Sequence, residues 1–271
     1  MFEQKVVYKG SEITEPAPYS FRAGPLTLLF EPSEGFIRYI RYGRKEVLRG
    51  IYAAVRDHNW GTVSPQLNNL RIEIAEGTFR VTFEADCIEN DIDFYWKGTI
   101  EGDKNGTLVY RMDGRARSTF RRNRIGFCIL HPMECAGSPC HIEEADGRTS
   151  AGTFPETISP HQPFKNLKAI SHEVVPGVTA EVRFERDIFE MEDQRNWTDA
   201  SYKTYCTPLE LPFPVQIQEG TEINQSVTLA LKSTTTTDTT AEQETIPGVR
   251  IRVGEDTPTR IPAIGLGTAS H

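Results

Sequence analysis

The segment from Phe189 to Tyr205, FEMEDQRNWTDASYKTY, concentrates carboxylates, an arginine, an amide and aromatic rings within seventeen residues. If its first residues form a strand, Glu190 and Glu192 point to one face, and Phe189 and Met191 point to the other. Two carboxylates in this arrangement lie about 7 Å apart, a separation at which an acid and a base act across one substrate. The predicted catalytic base is therefore Glu190 or Glu192.

The second half of this segment has a composition suited to a sugar, because a tryptophan ring stacks on C–H faces while polar groups bind hydroxyls. Asp193, Arg195, Asn196 and Trp197 are the predicted ligand contacts. Two alternatives remain open, a surface loop held by ion pairs and an interface with another domain. An interface would leave the Trp197 ring bare in this chain alone.

A second polar segment, FRRNRIGFCILHP at residues 120–132, surrounds an apolar strand pattern. Arg122, Asn123 and Arg124 precede the strand, and His131 follows it. Guanidinium and amide groups are suited to holding hydroxyls or a carboxylate, so these three residues are predicted to bind substrate. A solvated strand end with a capping histidine is the alternative.

A third segment, FPETISPHQPF at residues 154–164, carries three prolines that stiffen a loop around His161. Histidine titrates near neutrality and serves as an acid or a base. The predicted catalytic acid is therefore His131 or His161, with a packed structural histidine as the alternative.

A metal site is not predicted. His131, Cys135, Cys140 and His141 are clustered, but their spacing differs from that of zinc sites, and small apolar roles suit the cysteines equally well. Phosphate-loop, dinucleotide and nucleophile-elbow motifs are absent from the sequence. No cofactor is expected.

The elements that must position these residues read as strands. FRVTFEAD at 79–86 and IDFYWKGTIEG at 92–102 alternate apolar and polar residues, as do several later runs. Hairpin turns are predicted at Asp103–Gly106, Asp113-Gly114 and Asp146-Gly147. Residues 44–57 approach a helical period, although IYAAV also suits a strand. The predicted fold is all-β, a large antiparallel two-sheet sandwich of 14 or more strands.

The composition limits the classes of partner that this chain is expected to bind. The net charge of −8 disfavours nucleic acid and anionic membranes. The sequence has neither a run of ~20 apolar residues nor a signal peptide at its start. Five scattered cysteines suit a reducing cytoplasm. The predicted organisation is a sandwich at 1–232, a Thr-rich linker at 233–247, and a strand with the start of a truncated domain at 248–271.

Five segments together carry a family resemblance: DHNWGTVSP, the three polar segments above, and PLELPFPV. Over residues 20–232 the chain resembles the amino-terminal domain of the D-apionate lactonase family of bacteria. The resemblance implies hydrolysis of a sugar-acid lactone and a following TIM-barrel domain as a partner. It implies no roles for individual residues.

Two other functions remain open. The large sandwich is similar to galactose-mutarotase domains, in which a histidine and a glutamate act on an aldose ring, so an aldose 1-epimerase is one alternative. A non-catalytic carbohydrate-binding or domain-packing module is the other.

Overall fold

A computed structural model describes residues 16–197 and 200–233. These residues form eighteen strands and one short 3₁₀ helix, Met133–Cys135, which confirms the prediction of an all-β fold. The strands are β1 Tyr19–Ala23, β2 Leu26–Glu31, β3 Phe36–Tyr42, β4 Lys45–Asp57, β5 Thr62–Val63, β6 Pro65–Ala75, β7 Thr78–Glu89, β8 Ile92–Gly102, β9 Thr107–Ala116, β10 Phe120–Pro132, β11 Pro139–Glu144, β12 Thr149–Thr153, β13 Phe164–Val175, β14 Val178–Glu185, β15 Phe189–Gln194, β16 Ser201–Tyr205, β17 Val215–Ile217 and β18 Glu222–Ser233.

The strands form two antiparallel layers. One layer runs β1–β2–β3–β4–β10–β16–β15, and the other runs β6–β7–β8–β9–β18–β14–β13. Strand β13 also pairs with β15 and joins the layers. Aromatic rings from the two layers meet in the core, with centroid separations of 4.8 Å for Tyr110 and Phe127 and 4.4 Å for Phe184 and Phe189. The predicted two-sheet sandwich is confirmed.

The period-two patterns explain this layering. In β7 the apolar residues at 79, 81, 83 and 85 are all buried, while the residues between them are not. Strand β7 therefore has one face that packs in the core and one that is more open to solvent. Residues 45–57 form strand β4 and not a helix, as their IYAAV run indicates.

Two of the three predicted turns are confirmed, since Asp103–Gly106 joins β8 to β9 and Asp146-Gly147 joins β11 to β12. The turn predicted at Asp113-Gly114 is wrong, because both residues lie inside β9. Gly114 pairs with Trp96, and a Cβ at this position would collide with the ring of Phe94. This glycine makes room for a cross-strand aromatic ring.

Two sets of predicted features lie outside the described residues. The Thr-rich linker, apart from its first residue, and the strand and domain start at 248–271 belong to this part of the chain. Within the described residues, no helix has the length and apolar character needed to span a membrane.

Candidate functional site

The candidate site lies on the outer face of one layer, where β4, β10, β16 and β15 are neighbours. Gly126 of β10 pairs with Ala54 of β4, and Cys128 of β10 pairs with Tyr205 of β16. Glu192 of β15 pairs with Lys203 of β16. Alternate residues of these strands line a cleft of about 620 Å³. The described residues that line it are Ala54, Arg56, Trp60, Arg124, Gly126, Cys128, Glu192, Gln194, Trp197, Lys203, Tyr205, Cys206 and Leu209.

The two predicted carboxylates share this face, as the strand alternation requires, but their surroundings differ. Glu190 is 1% exposed, and its Oε1 accepts hydrogen bonds from the Tyr205 hydroxyl at 2.6 Å and the Leu209 amide at 2.7 Å. Burial and this carboxylate raise the pKa of Tyr205, so its hydroxyl stays a donor. Glu190 therefore anchors the wall of the cleft.

Glu192 lines the cleft itself and is half-buried. Its Oε1 accepts a hydrogen bond from Gln194 Nε2 at 2.7 Å and lies 3.2 Å from Lys203 Nζ. A carboxylate beside an ammonium group, both open to one cleft, is an arrangement that can take up and return a proton.

Arg124 lines the other end of the cleft and is only 5% exposed. Its Nη1 donates to the Asn123 carbonyl at 2.7 Å and its Nη2 to the Pro208 carbonyl at 2.9 Å. Its guanidinium carbon lies 4.8 Å from the ring centre of Phe213 and 5.6 Å from that of Trp60. Burial and the neighbouring Arg122 lower the pKa of Arg124.

The pairing of β10 with β4 shifts register between Arg122 and Arg124, at Asn123. Asn123 is fully buried and both its amide atoms lack a hydrogen-bond partner, as does Nε of Arg122. Burial lowers the pKa of Arg122, and the charge of Asp187 opposes this effect. Of these three predicted binding residues, the structure places Arg124 in the cleft lining.

Asp193 and Arg195 form a clip away from the cleft. The guanidinium bonds both carboxylate oxygens, Nε to Oδ1 at 2.9 Å and Nη2 to Oδ2 at 2.8 Å, with both side chains buried. The Ser159 amide donates to the same carboxylate, and Arg195 Nη1 donates to the Glu156 carbonyl. Burial opposes ionisation of Asp193, but these bonds prevail and lower its pKa. The clip fastens the 154–164 loop to β15.

His131 lies on the core side of β10, because it shares the parity of Ile129 and Phe127. Its ring is 0% exposed, with Nε2 3.3 Å from Thr204 Oγ1 and Nδ1 unpartnered. Burial, aided by nearby His172, lowers the pKa of His131 to about 3. The structure does not bring this histidine together with Glu190 and Glu192.

The remaining predicted residues are exposed. His161 lies in the 154–164 loop beside Gln162, whose Nε2 reaches the Tyr205 hydroxyl at 3.4 Å, but His161 itself does not line the cleft. Asn196 is exposed, and Trp197 is at the cleft rim with 68% of its surface free. A ring this bare is what the domain-interface alternative predicts.

Several residues of the site had no assigned role from the sequence: Arg56, Trp60, Gln194, Lys203 and Tyr205. Lys203 and Tyr205 alternate in β16 as Glu190 and Glu192 do in β15, so their parity was a usable signal. Arg56 and Trp60 come from β4 and the turn after it. Their position depends on the pairing of β4 with β10, which no local pattern indicates.

No set of three or more histidine, cysteine, aspartate or glutamate side chains within 16–197 and 200–233 is arranged to hold a metal ion. The five cysteines are free and buried. Burial raises the pKa of Cys135 to about 12 and that of Cys140 to about 11, so these thiols stay protonated.

Comparisons with known proteins agree with this architecture. The family described as D-apionate lactonase, N-terminal domain, matches residues 6–234. A curated D-apionate lactonase from Brucella anthropi is 42% identical over 263 residues, which cover 95% of this chain. The chain spans 42% of the length of that relative.

Solved structures share the fold at low sequence identity. A putative aldose 1-epimerase from Escherichia coli K12 has a TM-score of 0.51 and 9% identity, covering 80% of this chain and 99% of its own. A GH36 α-galactosidase from Geobacillus stearothermophilus has a TM-score of 0.51 and 9% identity, covering 82% of this chain and 41% of its own. The galactose-mutarotase-like sandwich is thereby confirmed as the fold.

Proposed function

This chain belongs to the family of D-apionate lactonase amino-terminal domains, and on that premise we propose that its cleft binds a sugar-acid lactone and opens the ring with water. The observation that carries the proposal is the pair of Glu192 and Lys203, 3.2 Å apart on the wall of the cleft. We further propose that the protein works in a bacterial cytoplasm.

The reaction needs a base for water and a positive group for the oxyanion that forms at the lactone carbonyl. Glu192 takes a proton from the attacking water, whose oxygen adds to the carbonyl carbon. Lys203 stabilises the resulting oxyanion. When the ring C–O bond breaks, the leaving oxygen takes the proton from Glu192, and the product is the open-chain hydroxy acid.

Glu192 is preferred to Glu190 as the base. Oε1 of Glu190 is engaged by Tyr205 and by the Leu209 amide, and the residue is buried behind the cleft wall. No histidine is among the described residues that line the cleft, so Glu192 also acts as the acid, the role predicted for His131 or His161. Trp60 and Trp197 at the rim offer rings for stacking against the sugar.

The test is acid release from the lactone of D-apionate by the 271-residue chain, followed in a pH-stat. Glu192→Gln should lower kcat by about 100-fold or more, the contribution of a general base. Glu210→Gln is the matched control, because Glu210 is exposed and pairs with Lys165 across the surface. A folded chain without turnover, or a fully active Glu192→Gln variant, would contradict the assignment. Polarimetry on free aldoses tests the epimerase alternative in the same preparation.

The bare rim supports a second function, contact with a following domain. Trp197, Trp60 and Phe213 expose 68%, 43% and 42% of their surfaces around the cleft mouth, and such rings are typical of docking surfaces. We propose that the predicted TIM-barrel domain covers this rim. Radical footprinting should then show less oxidation of Trp197 in a longer chain that includes that domain than in the 271-residue chain. Equal oxidation would contradict this contact.

A further inference from the structure

Three arginines near one end of the cleft are held without an ion pair. The ion pairs formed among the described residues include none of Arg56, Arg122 and Arg124. This is unexpected in a chain with 38 acidic and 30 basic residues, because nearby carboxylates are plentiful. Positive charge is therefore concentrated here, opposed by the charges of Asp187 and Glu190 but not by a direct ion pair.

Arg124 carries the strongest requirement for an anion. A buried charge is costly unless it is paired and hydrogen-bonded, yet this guanidinium is 5% exposed and bonds only neutral carbonyl oxygens. Its Nε is buried without a partner. Trp60 and Phe213 lie against it and exclude water from part of its surface. A ligand anion at this position would gain a strong interaction, because screening by water is weak there.

Arg56 reinforces this requirement. It pairs directly with Arg124 across β4 and β10, and both line the cleft. The bonds of Arg56 go to the Thr62 hydroxyl and the Trp60 carbonyl, which are neutral. Glu190 is a nearby acidic group whose charge acts on Arg124, but it bonds Tyr205 and Leu209. Two adjacent like charges favour an anion that contacts both.

This arginine end is distinct from the pair of Glu192 and Lys203. Lys203 pairs with Leu130, which is six residues along β10 from Arg124. At a strand rise of about 3.3 Å, the two positions are roughly 20 Å apart along the strand. The cleft therefore has an arginine end and an end that carries Glu192 and Lys203, and the charges of Arg56 and Lys203 both act on the Cys128 thiol between them.

We propose that Arg56 and Arg124 form a carboxylate-binding subsite that holds the acid group of a sugar acid. The sugar-acid identity rests on the proposed function, whereas the need for a negative charge rests on the arginines alone. In a lactone hydrolase such a subsite would bind the product acid, whose carboxylate the neutral lactone lacks.

Isothermal titration of the 271-residue chain with sodium D-apionate tests the subsite, with the uncharged polyol erythritol as the comparison ligand. We expect D-apionate to bind at least about tenfold more tightly than erythritol, because hydrogen bonds between charged groups are the stronger kind. Raising the salt concentration should weaken only D-apionate. Equal affinity for the two ligands would overturn the inference.

Variants locate the binding. Arg124→Gln should raise the dissociation constant of D-apionate about tenfold or more, and Arg56→Gln should raise it severalfold. Arg121→Gln is the matched control, since Arg121 is exposed on the same strand and outside the cleft lining. If Arg124→Gln does not fold, Arg56→Gln decides the result. Unchanged affinity in folded arginine variants would overturn the inference.

The two proposals fail separately. Hydrolysis of the neutral lactone by a chain that does not bind D-apionate would overturn the subsite and leave the lactonase function standing. Binding of D-apionate that depends on Arg56, without hydrolysis, would support the subsite and contradict the lactonase function. Both measurements use the same preparation.

Discussion

The two buried histidines, His131 and His172, predict a steep loss of stability in mild acid. Burial lowers the pKa of His131 to about 3 and that of His172 to about 4, against an ordinary value of 6.5. Between pH 6.5 and these values the unfolded chain binds protons that the folded chain does not. The free energy of unfolding therefore falls as the pH falls through this window.

The magnitude follows from the proton linkage. At pH 5 the unfolded form of each histidine is mostly protonated and the folded form is mostly neutral. Each residue should then lower the free energy of unfolding by about 2 kcal/mol between pH 7 and pH 5. Together they should account for about 4 kcal/mol.

Urea unfolding followed by circular dichroism at pH 7, 6 and 5, at constant ionic strength, measures this fall. His131→Gln or His172→Gln should reduce the fall to about 2 kcal/mol, whatever the variant does to stability at pH 7. His141→Gln, at an exposed position, should leave the fall unchanged. If the His131→Gln and His172→Gln variants lose stability as steeply as the parent chain when the pH falls, the folded chain does not hold His131 and His172 in their neutral forms.

Three further predictions concern the clip and the cleft wall. Arg195→Gln should reduce the free energy of unfolding by about 2–3 kcal/mol, because the buried carboxylate of Asp193 would lose its counterion. Arg148→Gln, at an exposed ion pair, should change the free energy of unfolding by less than about 0.5 kcal/mol. Equal effects of the two variants in urea unfolding would argue against the clip. Gly126→Ala should cost about 1–3 kcal/mol in the same assay, because its Cβ would overlap the thiol of Cys206 and the side-chain amide of Gln225. A neutral result would mean that the sheet shifts to accommodate the methyl group. Tyr205→Phe should cost about 1–3 kcal/mol by removing a donor from buried Glu190, and a stability equal to that of the parent would show that this hydrogen bond is not needed.

The sequence predicted the side of a strand on which a residue lies better than it predicted which strands are neighbours. Strand alternation placed Glu190 and Glu192 together on one side of β15, as the structure has them. The same rule assigns His131 to the core face of β10, because it shares the parity of Ile129, but the polar type of the residue outweighed its position in the interpretation. Within one strand, parity is a stronger guide than residue chemistry.

The rest of the site depends on pairings between distant strands. Arg56 meets Arg124 only because β4 lies beside β10, and no local pattern encodes that choice, since many apolar strands could exchange places. The clip of Asp193 and Arg195 was equally hidden, because a polar run reads the same whether it binds a ligand or a neighbouring loop. Its role became visible only with the Ser159 amide beside it.

The cleft is built from segments that are far apart in the sequence, and this determines when the cleft forms during folding. Arg124 bonds the carbonyl of Pro208, which is 84 residues further along the chain, and the cleft floor needs strands from both the first and the last third of the described fold. Contacts so distant in sequence form slowly. A chain emerging from the ribosome therefore has no cleft until β16 has been made and paired. In a refolding experiment, ligand binding would then report complete folding. A gain of β-strand signal in circular dichroism would not, because it can precede the pairing of these distant strands.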